Sequence, residues 1–132
     1  MYLLDTNICI YAIKGKYPKI ADKLLSIDPD NIKVSAVTVM ELEYGAAKSK
    51  WSERSREAIK AFLASFEILP FSDMDAAVCG QLRAELAVRG TPIGAYDIMI
   101  AAQGVSRGLI VVTHNTGEFS RVPGIVPEDW TE

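Results

Sequence analysis

Four acidic residues stand near the ends of apolar segments, where a fold can bring their side chains together. They are Asp5, Glu41, Asp97 and Glu118. Grouped carboxylates repel one another, so a cluster of them persists when a hard cation neutralises it. Mg²⁺ suits such a cluster because it takes oxygen ligands in an octahedron, usually keeps several waters and commonly binds substrate phosphates. As a set, the four acids therefore predict phosphate-ester chemistry assisted by a divalent metal.

Each acid taken alone has a simpler structural explanation. Asp5 follows an apolar opening and could cap the next helix, whereas Asp97 could be a favourable charge in the first turn of another helix. Glu41 stands three residues after Thr38, which is the spacing of a capping box. However, Glu41 is flanked by apolar residues, and a carboxylate that faces inward needs a partner or a metal. The acids are thus informative as a constellation.

Short apolar runs alternate with segments of helical spacing along the chain. The runs that predict strands are Tyr2–Leu4, Ile32–Val34, Glu67–Leu69, Leu109–Val112 and Ile125–Val126. Helical patterns run through residues 20–25, 39–46, 59–66, 78–86 and 98–105. This alternation predicts an α/β domain around a mainly parallel sheet with both faces covered. The carboxyl ends of such strands are where open α/β sheets bind ligands, and Asp5 follows one of them.

Composition limits the class of protein. The 132 residues are 49% apolar and 23% charged, which is typical of one soluble domain and excludes intrinsic disorder. No apolar run approaches the roughly 20 residues of a membrane span, and the first residues do not form a signal peptide. Cys9 and Cys79 stand in apolar surroundings without metal-ligand spacing, as expected of buried thiols in a cytoplasmic protein.

Other chemistries are disfavoured by the residues present. His114 is the only histidine, so a pair of histidines cannot act as acid and base, and neither a phosphate-binding glycine loop nor a serine-hydrolase motif occurs. The net charge of −3 argues against a general nucleic-acid coat but permits a nuclease with an acidic site. A basic segment, here named the Trp51 stretch, could be a solvated helix face, an RNA contact or a partner contact. It comprises Lys48, Lys50, Trp51, Arg54, Arg56 and Lys60.

Four segments occur in an informative order, namely Met1–Asn7, Val34–Gly45, Gly90–Ala102 and Val111–Trp130. They contain Leu-Asp-Thr-Asn, Val-Met-Glu-Leu-Glu-Tyr-Gly, Ala-Tyr-Asp-Ile-Met-Ile-Ala-Ala and Val-Pro-Glu-Asp-Trp. In this order they closely resemble the PIN-domain ribonucleases and, within them, the VapC-type toxins of bacterial toxin–antitoxin pairs. The resemblance covers essentially the whole chain. It implies one PIN domain over residues 1–132, with three α/β/α layers and strand order 3-2-1-4-5.

The resemblance assigns site residues by position. It makes Asp5, Glu41 and Asp97 the catalytic acids that bind the metal. Many relatives have Asp where this chain has Asn115, so Glu118, the nearest carboxylate, is expected to be the fourth catalytic acid. Supporting polar side chains are expected at Thr6, Asn7, Thr113 and Asn115.

The same resemblance implies Mg²⁺ as the cofactor, with Mn²⁺ as a possible substitute. Asp5 and Asp97 would bind an ion directly, and Glu41 and Glu118 would hold a second ion or orient its waters. The implied substrate is RNA, in the form of a structured tRNA cut at a single-stranded loop, so that translation is inhibited. The implied partners are a cognate VapB-type antitoxin and a second copy of the chain in a homodimer. A groove for the antitoxin is expected near Met40, Tyr44, Trp51, Phe62 and Phe66.

Three other functions stay open on the residues alone. A flap-type DNA nuclease would use the same acids. A phosphatase with Asp5 as nucleophile would need a second acid two residues later, where this chain has Asn7. A non-catalytic RNA-binding or partner-binding domain would keep the fold alone. Mg²⁺-dependent cleavage of RNA beside a DNA control would distinguish them.

Overall fold

The computed structural model describes residues 1–132 and contains one five-stranded sheet in the order β3-β2-β1-β4-β5. All four neighbouring strand pairs are parallel. This confirms the expected strand order and makes the sheet wholly parallel. The strands are β1 (Tyr2–Leu4), β2 (Ile32–Ser35), β3 (Glu67–Leu69), β4 (Ile110–Val112) and β5 (Val126–Glu128).

Helices make the crossovers that parallel strands require. They are α1 (Thr6–Lys14), α2 (Pro18–Ser26), α3 (Ala36–Ala47), α4 (Ser52–Leu63), α5 (Asp73–Arg89), α6 (Ala95–Arg107) and α7 (Thr116–Phe119), with one 3-10 turn at Pro29–Asn31. Glycines in the left-handed conformation end α1, α5 and α6, where a side chain would strain the backbone. The stop after α6 leads into β4, whereas those after α1 and α5 lead into the next helix.

Alternate residues of each central strand enter two different cores. Leu3 and Val111 pack with residues of α5 and α6, whereas Leu4 and Val112 pack with residues of α1, α2, α3 and α4. Because neighbouring side chains of a strand point to opposite faces, the sheet is buried on both sides. The expected three-layer α/β/α architecture is therefore confirmed.

The order of strands reverses between β1 and β4, and the two strands pair over their whole length. The pairing continues past β1, because the Asp5 backbone N–H donates to the Val112 carbonyl at 2.8 Å. In open α/β sheets this switch point forms a crevice for ligands. Asp5 and the chain that follows Val112 flank that crevice.

Of the two alternatives considered for Glu41, the capping box with Thr38 is not formed. α3 begins earlier, with Ser35 as its N-cap, because the Ser35 side chain accepts from the Val37 backbone N–H. Thr38 therefore lies inside the helix and is fully buried. A reciprocal capping box is found instead at the start of α5, between Ser72 and Asp75.

Two further expectations concern exposure. Cys9 and Cys79 are free and buried, as expected. Phe62 and Phe66 pack together against the core with ring centroids 5.2 Å apart, so for these two the core interpretation holds. Trp51 is exposed.

None of the helices combines the length and apolar character needed to cross a membrane.

Candidate active site

Asp5 is held at the carboxyl end of β1 by two donors. Its side chain is 2% exposed and caps α1, with Oδ1 accepting from the Thr6 backbone N–H at 2.7 Å. Its Oδ2 accepts from the Thr113 hydroxyl at 2.9 Å, across the β1–β4 boundary. The helix cap and the site residue are thus the same side chain. These two bonds fix the orientation of the carboxylate.

Glu41 reaches the same edge from the second turn of α3. Its Oε1 accepts from the Thr6 hydroxyl at 2.7 Å, and the Thr6 oxygen lies 3.0 Å from the Thr38 hydroxyl oxygen. The inward orientation considered for Glu41 is therefore observed, with Thr6 as its partner. Thr38 was not expected at the site, and its burial in a helix next to two apolar valines gave no sequence signal.

Asp97 and Glu118 approach each other beside Gly94. A Cβ placed on Gly94 would lie 3.6 Å from Asp97 Oδ2 and 3.8 Å from Glu118 Oε1. Glu118 is anchored, because its Oε1 accepts from the Gly94 backbone N–H at 2.9 Å and its Oε2 accepts from the Asn115 amide at 2.8 Å. Glu118 belongs to the short helix α7, and Asn115 is the N-cap residue of that helix.

The supporting polar residues divide into two groups. Thr6 contacts two of the acids, Asp5 and Glu41, whereas Thr113 and Asn115 contact one each. The Asn115 backbone N–H also donates to the Thr113 hydroxyl at 3.0 Å. Asn7 is exposed and lies outside this network. Gly94 also contributes to the site, because its backbone N–H donates to Glu118. No pattern of side chains in the sequence could have indicated this contact.

The electrostatics of Asp5 and Asp97 reflect mutual repulsion as well as burial. Burial raises the pKa of Asp5 to about 6, with donors Thr113 and Thr6 opposing the rise and Glu41 and Glu118 adding to it. Burial raises the pKa of Asp97 to about 7, and the charges of Asp5, Glu118 and Glu41 raise it further. In contrast, the Gly94 N–H and the Asn115 amide hold the pKa of Glu118 below its usual value.

Asp75, a buried acid outside the candidate site, shows how a basic side chain can neutralise a buried carboxylate in this fold. Asp75 is 1% exposed, and its Oδ2 lies 3.0 Å from the Arg107 guanidinium. Although burial raises the pKa of Asp75, Arg107, Ser72 and Gln103 lower it to about 2. Asp5 and Asp97 make no ion pair with any lysine, arginine or histidine. Their missing counter-charge would have to come from outside the chain.

The donor set fits a hydrated divalent cation. No three histidine, cysteine or acidic side chains converge closely enough to hold an ion by themselves. Mg²⁺ does not require such a cage, because proteins commonly bind it through one or two carboxylates while water and phosphate oxygens complete the octahedron. Asp5 and Asp97 are the carboxylates whose repulsion a cation would relieve.

Comparison with known proteins agrees with the fold. Residues 2–125 match the family model described as PIN domain. The chain is 46% identical to the tRNA(fMet)-specific endonuclease VapC of Salmonella typhimurium, with 98% of this chain and 97% of that one covered.

Two solved structures give the same result in three dimensions. DNA-bound VapBC from Salmonella typhimurium matches with a TM-score of 0.93 and 46% identity, covering 98% of this chain and 97% of that one. VapBC2 from Rickettsia felis, bound to a DNA fragment from its promoter, matches with a TM-score of 0.92 and 35% identity, covering 98% of both chains. The chain belongs to the PIN-domain family and, within it, to the VapC group.

Proposed function

We propose that this protein is a divalent-metal-dependent endoribonuclease and the toxic component of a VapBC-type toxin–antitoxin pair. The observation that carries the proposal is the acidic edge formed by Asp5, Glu41, Asp97 and Glu118 at the strand switch point, with no basic side chain neutralising Asp5 or Asp97. The VapC relatives are named as ribonucleases or endonucleases. Mg²⁺ is the proposed ion, with Mn²⁺ as a substitute.

Each acid has a proposed role that follows from its contacts. Asp5 and Asp97 would hold the cation directly, because they carry the unneutralised charge. Glu41, held by Thr6, and Glu118, held by Gly94 and Asn115, would orient bound waters or a second ion. The bound cation would supply an activated water and positive charge for the leaving oxygen. The hydroxyls of Thr6 and Thr113 keep the acids in place and exclude alternative rotamers.

The proposed substrate is a structured tRNA cut at a single-stranded loop. The Salmonella typhimurium and Shigella flexneri relatives are named for tRNA(fMet), which makes that tRNA the first candidate here. Cleavage would inhibit translation, so a cognate VapB-type antitoxin is the proposed partner. A homodimer and a cytoplasmic location, both expected from sequence, are part of this proposal.

Cleavage assays test the proposal directly. The purified chain should cut a tRNA(fMet) transcript when Mg²⁺ is present, stop when EDTA is added, and leave single-stranded DNA of matched sequence intact. Asp97→Asn should keep the fold and abolish cleavage, because the amide removes one ligand charge at nearly constant shape. Cleavage of DNA instead would favour a flap-type nuclease.

Two other results would contradict the proposal. Cleavage by Asp97→Asn at the wild-type rate would refute the assignment of this residue. RNA binding without cleavage under any divalent ion would favour a binding domain that keeps only the fold. Sequencing the RNA fragments produced on expression identifies the substrate in either active case.

A further inference from the structure

The corner where α1 ends and α2 begins carries exposed lysines that have no acidic partner. Lys14, Lys16 and Lys19 are exposed, and none of them makes an ion pair. Lys23 makes only a long contact of 3.9 Å with Glu128. Within residues 14–23, four positive charges therefore face solvent, and Asp22 is the one acid among them.

The same corner carries aromatic rings among the lysines. The Tyr11 and Tyr17 ring centroids are 5.0 Å apart, and the Lys16 ammonium lies 5.1 and 5.2 Å from them. The His114 ring completes the group, with its centroid 5.7 Å from that of Tyr17 and 6.2 Å from that of Tyr11. Basic side chains beside aromatic faces are the combination that binds single-stranded nucleic acid without base specificity.

Tyr17 is held in an unusual backbone conformation at this corner. Its φ is 58°, and it is the only non-glycine residue with a positive φ. The following Pro18 disfavours the right-handed helical conformation at Tyr17. Non-glycine residues in the left-handed region are strained and are found preferentially at functional sites. With this backbone conformation, the Tyr17 ring lies beside those of Tyr11 and His114.

His114 connects this corner to the acidic edge. It stands between Thr113, whose hydroxyl donates to Asp5, and Asn115, whose amide donates to Glu118. Its Nδ1 lies 3.0 Å from Asp129 Oδ2, which fixes the ring on the side facing the tyrosines. An RNA strand that contacts His114 would therefore lie next to Thr113 and Asn115, which hydrogen-bond two acids of the edge.

The Trp51 stretch is less suited to phosphate. Its Arg56 makes a long contact of 3.8 Å with Glu43, comparable to that of Lys23 with Glu128, but two acids, Glu53 and Glu57, lie among the basic residues of α4. Glu53 and Glu57 also line the surface depression beside Trp51. A polyanion would meet mixed charge on α4 and mainly positive charge at the α1–α2 corner.

We infer that the α1–α2 corner, comprising Tyr11, Lys14, Lys16, Tyr17, Lys19 and His114, binds the phosphate backbone of the RNA substrate and leads the strand to the acidic edge. The inference rests on the proposed function, which supplies RNA as the substrate. It also resolves an electrostatic difficulty, because a chain of net charge −3 with an acidic site needs a separate basic surface to attract RNA.

Salt-dependent binding tests the inference. A fluorescein-labelled tRNA(fMet) transcript is titrated with the Asp97→Asn protein between roughly 50 and 200 mM NaCl, because binding is then measured without cleavage. Lys16→Gln/Lys19→Gln in this background should weaken binding about tenfold at the lowest salt and reduce the slope of log K against log salt by roughly 1.5. The difference should shrink as salt rises.

Two control variants separate local from general effects. Arg54→Gln/Arg56→Gln removes the same charge from the Trp51 stretch and should leave the slope nearly unchanged. Since Lys16 also packs on two tyrosine rings, Lys14→Gln/Lys19→Gln removes two charges while keeping that contact, and it should reproduce the loss.

An unchanged slope in both lysine variants would overturn the inference, as would an equal loss in the arginine variant. Loss of antitoxin binding with intact RNA binding in the lysine variants would also overturn it, because the corner would then be a protein interface. The proposed function is tested separately by cleavage with the wild-type protein. A chain that binds RNA through this corner but cuts nothing would refute the activity and leave the inference standing.

Discussion

The Thr6 hydroxyl has a single hydrogen, and its contacts determine where that hydrogen goes. A carboxylate only accepts, so the hydrogen lies on the 2.7 Å bond to Glu41. The hydrogen between Thr6 and Thr38, 3.0 Å apart, must therefore come from Thr38. The result is a one-directional chain from Thr38 through Thr6 to Glu41, in which each bond strengthens the next. Glu41 is thereby fixed without any basic side chain.

Asp97 should make the metal-free protein less stable as pH rises. Its folded-state pKa of about 7 lies above its ordinary 3.8, so the folded chain keeps a proton that the unfolded chain releases between these values. Stability is therefore full below about pH 4 and falls toward pH 7. In EDTA, Asp97→Asn should be more stable than wild type by about 1–3 kcal/mol at pH 8, after allowance for solvent screening at this half-buried site.

Urea denaturation of both proteins at pH 4 and pH 8 measures this effect. The stability difference should be close to zero at pH 4, where Asp97 is protonated in the folded state. Saturating Mg²⁺ at pH 8 should reverse the order, because the ion binds the folded wild-type protein more tightly than the variant. Equal stabilities of the two proteins at pH 8 in EDTA would mean that burial and the neighbouring carboxylates do not raise the pKa of Asp97.

Substitutions of Glu118 and Asn115 compare how much each residue contributes to the Mg²⁺ requirement of cleavage. Glu118→Gln loses the charge and cannot accept from both Gly94 and Asn115 with two oxygens, so it should raise the Mg²⁺ concentration needed for half-maximal cleavage. Asn115→Ala removes one donor to Glu118 and should have a smaller effect. Magnesium titrations of cleavage rate decide between them. If Asn115→Ala is the more damaging, the fourth position of the site belongs to Asn115.

At the scale of elements, Gly104 lets α6 lie close to β4. A Cβ at Gly104 would overlap Val111 Cγ2, in a strand that pairs directly with β1. Gly104→Ala should therefore cost about 1–3 kcal/mol of unfolding free energy through overpacking. Gly80→Ala in α5 is the matched control, since its Cβ would meet nothing within 4 Å. There, removal of a helical glycine should stabilise the protein by about 0.5–1 kcal/mol.

Thermal or urea unfolding of the two alanine variants checks this pair. Equal and small effects would mean that α6 can shift away from the sheet without cost. In that case Asp97, which α6 carries at its third residue, would not owe its position to the close contact between Gly104 and Val111.

The helices and strands were largely predictable from the sequence, because buried parallel strands appear there as apolar runs between turn residues. The start of α3 was not, since Ser35 and Thr38 are both acceptable caps and only the buried end of β2 decides between them. Glu41 could be identified as inward-facing, whereas its partner Thr6, 35 residues earlier in the chain, could be paired with it only in the folded structure.

At the scale of the whole molecule, charge is distributed unevenly. Met40 and Tyr44, which were expected to contribute to the antitoxin groove, are exposed, and the Tyr44 ring centroid lies 4.7 Å from the ammonium of Lys48 in the Trp51 stretch. Arg54→Ala/Arg56→Ala should therefore weaken antitoxin binding several-fold. Its salt slope for RNA should stay unchanged, because the α1–α2 corner is proposed to bind the phosphates. Calorimetric titration with the antitoxin, beside the RNA titration, measures both. A flattened RNA slope with intact antitoxin affinity would reverse the assignment.

The four ordered motifs assigned the acids of the candidate site and three of their polar neighbours, Thr6, Thr113 and Asn115, but not the individual hydrogen bonds between them. Local patterns carry no information on which hydroxyl meets which carboxylate, and the Gly94 backbone N–H has no side-chain signature at all. The α1–α2 corner was missed for a similar reason. Its lysines are separated in sequence from His114 by about 100 residues, and only the fold places them together.

The pairing of β1 with β4 affects when the candidate site can form during synthesis of the chain. Asp5 is made 108 residues before its side-chain partner Thr113, and its backbone partner Val112 directly precedes Thr113. At typical elongation rates of about 5–20 residues per second, the growing chain carries Asp5 for several seconds before its partners exist. Under the proposed function, the contacts that orient Asp5 would therefore be missing from a nascent chain until residue 113 has been made, and the acidic edge would form only after that point.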